Sequence, residues 1–204
     1  APVDPPPHVD SKIPLEIEYP KTSYSSTPAP MHVEPKPIYV PRSTSNLASG
    51  KAVTSNAQIP ADKLKMITDG DKSGETGHYM EIGDGLKWVQ IDLGGQVNVY
   101  AVAMWHYFDD GQLRQYQDVI VQVSDEPDFS KYKTVFSTNR DKSSGLEIGG
   151  DEMNYESSLG KVIDCKGIVG RYVRLYSKGN TLDEQNHYIE VEVHGVKVGD
   201  KAVT

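Results

Sequence analysis

From residue 45 onward, apolar side chains fall at alternate positions in short runs separated by glycine turns. In 87–93, Val89, Ile91 and Leu93 alternate with Trp88, Gln90 and Asp92, and Gly94-Gly95 follows. A period of two with β-branched residues reads as a strand, which the glycine pair ends. Similar runs predict strands over 50–55, 88–93, 97–105, 118–124, 133–137, 161–164, 172–176 and 188–193, plus one helical turn over 59–66 with Pro60 at its first position. Many short strands with turn residues between them predict an all-β, antiparallel sandwich or barrel.

Residues 1–44 break this pattern. They hold eleven of the 13 prolines and none of the 18 glycines, so φ is locked and backbone donors are missing along much of the segment. An extended, proline-rich N-terminal arm is expected, polyproline II in character. Ile13, Leu15, Ile17, Tyr19, Ile38, Tyr39 and Val40 are spaced along it like anchors. Such spacing suits an arm that packs on its own domain or on a neighbouring protein, while a plain tether needs none of it. The chain therefore divides into an arm over 1–44, a β-domain over 45–198 and a tail over 199–204.

Composition narrows the partners. A net charge of −8 argues against nucleic acid, whose phosphates need a basic face. No apolar run approaches the roughly 20 residues a bilayer requires, so no membrane span is expected. The single cysteine, Cys165, excludes an internal disulfide and a thiolate zinc cluster. The chain starts at Ala1 rather than Met, which leans toward a mature secreted, periplasmic or cell-surface protein.

Catalytic motifs are missing. There is no Gly-x-Ser-x-Gly elbow, phosphate loop, His-Glu-x-x-His or dinucleotide fingerprint, and the chain reads as no enzyme. A cation loop is a better lead. Asp69, Asp71 and Ser73 stand at the first, third and fifth positions of a calcium loop, with Gly74 at the sixth. The twelfth position, where a bidentate Glu would close a helix-loop-helix site, is Met80. Any further ligand must come from elsewhere, and the plain alternative is an Asp-Gly turn with solvated acids. In 188–193 the acids Glu190 and Glu192 share one strand face. That strand is either a half-exposed edge, or it brings Glu190 back to the cation loop.

The segment 106–116 carries His106, Tyr107, Phe108, Asp109, Asp110, Arg114 and Tyr116 between two apolar strands. Aromatic rings and an Arg on a rigid scaffold suit a sugar. Equally, the rings can cap the domain while Arg114 pairs with an acid. His78, His106 and His187 each fall beside predicted loops that the fold can bring together, and the polar loops 139–150 and 178–187 can share the same rim. Arg171, Tyr172 and Arg174 read as packing or ion-pairing residues within a strand.

An ordered set of phrases resembles the discoidin, or coagulation-factor C-type, domains of the galactose-binding-like superfamily. Asn46-Leu47-Ala48-Ser49-Gly50-Lys51 resembles their opening, and Ile67-Thr68-Asp69-Gly70 their acidic turn. Trp88-Val89-Gln90-Ile91-Asp92-Leu93-Gly94 resembles a central strand, and the Val-Ser-Asp at 123–125 ends another. Arg171-Tyr172-Val173-Arg174-Leu175 and Glu190-Val191-Glu192-Val193-His194-Gly195 resemble the closing strands. The resemblance implies a jelly-roll β-sandwich, usually non-catalytic, with loops at one end that bind glycans, phospholipid or proteins. It also implies a structural Ca2+ held by Asp69, the region of Asp71 and Glu190, with carbonyls near Met66 and Ile189, and it sets Arg114 near a ligand-binding Arg. The cysteine pair of animal members is missing, so the chain is more similar to bacterial versions.

The expected function is a secreted, calcium-stabilised module that binds carbohydrate or another cell-surface ligand, with His78, His106, Tyr107, Arg114, Tyr116 and His187 as candidate ligand contacts. The alternative is an accessory subunit that docks on a protein partner through residues 1–44.

Overall fold

The computed structural model describes residues 11–20, 36–109 and 112–199. Ten strands follow in chain order: β1 (Lys12–Pro14), β2 (Tyr39–Pro41), β3 (Ser45–Asn46), β4 (Val53–Ser55), β5 (Met80–Asp84), β6 (Leu86–His106), β7 (Ile120–Ser124), β8 (Lys133–Ser137), β9 (Lys161–Lys178) and β10 (Gln185–Lys197). One short helix, α1 (Ala61–Leu64), runs into a 3-10 turn over Lys65–Thr68, with Pro60 capping α1 rather than occupying its first turn.

All strand pairs are antiparallel, and the fold is the all-β sandwich that the alternation predicted. The hydrogen-bonded order β3-β10-β6-β9-β7-β8 is unbroken because β6 and β9 cross from one layer to the other. Their first pairing, Leu86–Asp92 with Tyr172–Lys178, belongs to the layer of β4, β7 and β8. After a register shift between Asp92 and Val97, the partner stretches 97–104 and 161–170 join the layer of β3, β5 and β10. Gly94-Gly95 therefore bends the strand and does not end it. Gly94 has φ +84°, and its N–H bonds Asp92 Oδ1 at 2.8 Å, a local turn inside a continuous ladder. At the matching corner of β9, a Cβ on Gly170 would stand 2.4 Å from Val123 Cγ1, so only glycine lets the layers close there.

Alternation puts Val89, Ile91, Val121, Val123, Val173 and Leu175 of one layer against Val102, Met104, Val191 and Val193 of the other, all buried in one core. Cys165 joins this core, and its burial pushes the thiol up to about 12. On the outward face of the second layer Ala103, Trp105, Phe108 and Ile189 form a smaller cluster, covered by Ile17 and Tyr19 from the N-terminal segment. That segment also pairs with the chain before the domain, Lys12–Pro14 on Tyr39–Pro41, and Leu15 N–H extends the ribbon to the Ile38 carbonyl at 2.7 Å. The expected polyproline stretches around Pro5–Pro7 and Pro28–Pro30, and the tail beyond residue 199, lie outside the described residues.

β10 is an interior strand, with β6 on one side and β5 and β3 on the other. An exposed edge, one of the two sequence expectations, does not form. The pairings with β5 and β3 cover residues 185–188 and 194–195. Opposite the stretch between them, the loop after the 3-10 turn closes in, with Gly70 N–H donating to Glu190 Oε2 at 3.1 Å.

Candidate functional site

Two clusters stand out, a clasp where the loop 69–74 meets β10, and a rim at the end of the sandwich where β6 and β10 meet their loops.

In the clasp, Asx turns shape the loop. Asp69 Oδ1 accepts from Asp71 N–H at 2.8 Å, and Asp71 Oδ1 accepts from Ser73 N–H at 2.9 Å. Asp71 Oδ2 meets His78 Nδ1 at 2.5 Å. Hydrogen bonds from Ser73 and His78 hold the Asp71 carboxyl below the usual range, and Asp71 in turn raises the His78 imidazole. Glu190 is fully buried, and its Oε1 has no hydrogen-bond partner. Nor does Ser73 Oγ, which sits near Asp71 without a hydrogen bond of good geometry. Burial first, then the charges of Asp69 and Glu192, push the Glu190 carboxyl up to about 9. Ile189 is the extra residue of a β-bulge between Tyr188 and Glu190, which takes its backbone out of the regular ladder.

This donor set fits a hard cation: two acids, a hydroxyl and bulge or turn carbonyls are oxygen ligands, and two of the buried oxygens lack partners. Among the described residues no three His, Cys, Asp or Glu side chains converge to hold an ion by themselves, so the hydroxyl and carbonyls are needed. Beside the clasp, Glu192 is drawn up by burial, but hydrogen bonds from His194 Nε2 (2.8 Å) and Lys72 Nζ (2.6 Å) outweigh that and leave it below the usual range.

The rim gathers five of the six expected ligand residues. His106 ends β6, His187 opens β10, and Tyr107, Arg114 and Tyr116 lie on the loop between β6 and β7. The His106 ring stacks on Tyr116 with centroids 4.3 Å apart, and its Nδ1 meets Glu156 Oε1 at 3.1 Å. Tyr116 OH meets His187 Nδ1 at 2.9 Å, and His187 Nε2 faces Glu81 Oε2 at 3.4 Å. Burial raises the Tyr116 phenol well above its ordinary value, so it stays protonated. Burial also lowers His187, against the opposing pull of Asp183 and Glu81. Arg114 Nη1 bonds Asn180 Oδ1 at 3.0 Å and Asp183 Oδ2 at 2.8 Å, and its guanidinium lies 5.2 Å from the Tyr107 ring centre. Tyr79 and Tyr107 lie with centroids 4.3 Å apart.

His78, the sixth, turns to Asp71 on the clasp loop, while its neighbour Tyr79 reaches the rim. Arg114 pairs with an acid, as one of the two sequence readings had it, and is 7% exposed; Tyr116 is 2% exposed. Half-buried Tyr79 and Tyr107 present more of their surface. The loop 178–187, one of the two polar loops expected at this rim, contributes Asn180 and Asp183. Tyr79, Glu81 and Glu156 carried no local signal, because only the pairing of β5 with β10 and the packing of the loop that holds Glu156 bring them here. Asp110 lies outside the described residues. Arg171 and Arg174 hold strands together: Arg171 grips Asp92 through two hydrogen bonds of 2.8 Å, and Arg174 bonds Gln90 and lies 4.4 Å over Trp88.

Known proteins share this architecture. A family model described as the F5/8 type C domain matches residues 49–191. A family 89 glycoside hydrolase from Clostridium perfringens aligns at TM-score 0.56 and 18% identity, over 78% of this chain but 15% of the hydrolase. The chain thus corresponds to a small part of that enzyme. Chitosan-binding module 1, derived from a chitosanase/glucanase of Paenibacillus sp. IK-5, aligns at 0.51 and 18%, over 73% of this chain and 98% of the module. A Streptococcus pneumoniae fucose binding module aligns at 0.50 and 21%, over 73% and 96%. No curated protein sequence gives a significant match. Since the family model spans more than two-thirds of the sequence and the solved structures share its sandwich, the chain belongs to the F5/8 type C domain family.

Proposed function

We propose that this chain is a non-catalytic module that binds carbohydrate at the rim, on a sandwich fastened by a calcium ion at the clasp. The observation that carries this reading is the convergence of His106, Tyr107, Arg114, Tyr116 and His187 at one end of a rigid β-scaffold. The tyrosine pair Tyr79–Tyr107 offers apolar ring faces to the C–H surface of a sugar. Asp183 and Glu81, both more than 40% exposed at the side chain, offer acceptors for its hydroxyls. Arg114 positions Tyr107 and Asp183 from behind. Among the structural neighbours, two are modules named for binding chitosan and fucose, which agrees with a glycan ligand.

Calcium would be held by Asp69, Ser73 and Glu190 with carbonyls near Met66 and Ile189; Asp71 shapes the loop through its bonds to Ser73 and His78. The ion would supply the charge that Glu190 needs to ionise in its buried place. Secretion, or display at a cell surface, goes with such a function. Glycan-array screening of the full chain, followed by titration of the best hit against Tyr107→Ala, is the test. Binding that the variant loses supports the reading; an array without hits overturns it.

A further inference from the structure

Lys72 lies within the clasp loop, between Asp71 and Ser73, yet its side chain serves a different region. The ammonium meets Glu192 Oε1 at 2.6 Å, donates to the Glu18 carbonyl at 2.6 Å and lies 4.6 Å from the Trp105 ring centre. Glu18 stands between Ile17 and Tyr19, which cover the cluster of Trp105, Phe108 and Ile189 on the outer sheet face. The loop is fitted closely to that cluster: Gly74 has φ +66°, and a Cβ there would stand 2.9 Å from Ile189 Cδ1. One loop therefore frames the candidate cation site and also carries the lysine that fastens residues 11–20.

We infer that cation binding at the Asp69–Glu190 clasp and docking of residues 11–20 are linked through Lys72, each favouring the other. This rests on the calcium reading given above. Asp69 and Glu190 are two acids brought together, and an ion between them fixes the loop conformation that aims Lys72. An ordered loop has less conformational freedom left to lose when the segment docks. By linkage, the docked segment must strengthen the ion's binding by the same factor.

The test uses the full chain in calcium chloride or in chelator, with glutamyl endopeptidase cutting after the exposed Glu16 and Glu18. Calcium is expected to slow these cuts about tenfold, a factor usual for coupled sites. Lys72→Met is expected to make the cutting rate independent of calcium, to keep a calcium-dependent rise in Tm, and to weaken calcium binding in calorimetry by that same factor. If Lys72→Met does not fold, the double variant Ile17→Ser, Tyr19→Ser serves, with the same weakening of calcium affinity expected. Equal cutting rates with and without the ion, in a protein whose Tm calcium raises, overturn the link alone. A Tm that calcium leaves unmoved overturns the calcium reading and the link with it.

Discussion

The clasp and the rim are built from the same kinds of residue, acids, a histidine and hydroxyls, but they use them in opposite ways. In the clasp, Glu190 Oε1 and Ser73 Oγ are buried without hydrogen-bond partners, and burial pushes Glu190 up to about 9. Among the described residues no positive group bonds Glu190 there, since Lys72 and His78 on the same loop are taken up by Glu192 and Asp71. In the rim each acid faces a base: Glu156 meets His106, Asp183 meets Arg114 and Glu81 meets His187. A buried carboxylate that no group of its own chain neutralises suits an ion from solution. A region paired within itself holds its aromatic side chains still and suits a larger ligand laid over them. On the proposed reading, the difference gives stability to one region and recognition to the other.

The largest expected effect falls on the clasp. At calcium a hundredfold above its Kd, binding adds about 2.7 kcal/mol to the native state, so chelation should lower Tm by about 5–10 °C. Asp69→Ala should erase the difference, which differential scanning fluorimetry reads directly; equal loss of glycan binding in that variant below its melting temperature would break the division of labour. In the rim, Arg114→Ala strips the shared partner from Asn180 and Asp183, costing about 1–3 kcal/mol in denaturant unfolding together with ligand affinity. Tyr107→Ala separates the two: affinity should fall about tenfold or more, a change of about 1.4 kcal/mol, with stability nearly kept.

Acid should weaken the rim as well. Burial holds the native His187 below its ordinary range, so the unfolded chain takes up its proton first as pH falls. The stability it contributes is full above about 6.5 and is lost below it, down through its lowered native value. His187→Gln should flatten that part of a Tm–pH profile. The smallest effect is expected outside both regions. Arg171→Ala breaks an ion pair with both partners about 40% exposed, which solvent screens, and should leave the denaturant midpoint, calcium binding and glycan binding nearly as they were.

Much of the sandwich could be read from alternation. β8 (Lys133–Ser137) falls where the pattern put it, and β7 and the core stretches of β6, β9 and β10 are recovered, although the bulge at Ile189 turns that residue to the outer face, away from Val191 and Val193. Continuity was not legible: β6 and β9 each appeared as two strands, because a bend at Gly94-Gly95 or Gly167–Gly170 looks the same in sequence as a turn. β1, β2 and β3 were hidden by their shortness, and Met80–Asp84 lies among glycines and polar residues that mask its period. The clasp was foreshadowed by the spacing of Asp69, Asp71 and Ser73 and by Glu190 in an acidic strand face. Ile17 and Tyr19 were legible as anchors of an arm that packs on its own domain or a neighbour, and Glu192 as sharing the strand face of Glu190; that Lys72 joins them was not, since these groups meet across the fold and no local spacing marks the contact. The same holds for Glu81, set against His187 by the pairing of β5 with β10, and for Glu156, brought to His106 from a loop.

Recognition at the rim, independent of the clasp, is the central claim, and isothermal titration of a glycan identified by array addresses it most directly. The wild-type chain and Asp69→Ala, both kept below their melting temperatures, are expected to bind that glycan alike, while Tyr107→Ala loses it. Binding that survives Tyr107→Ala, or that disappears with Asp69→Ala in a folded protein, would contradict the account.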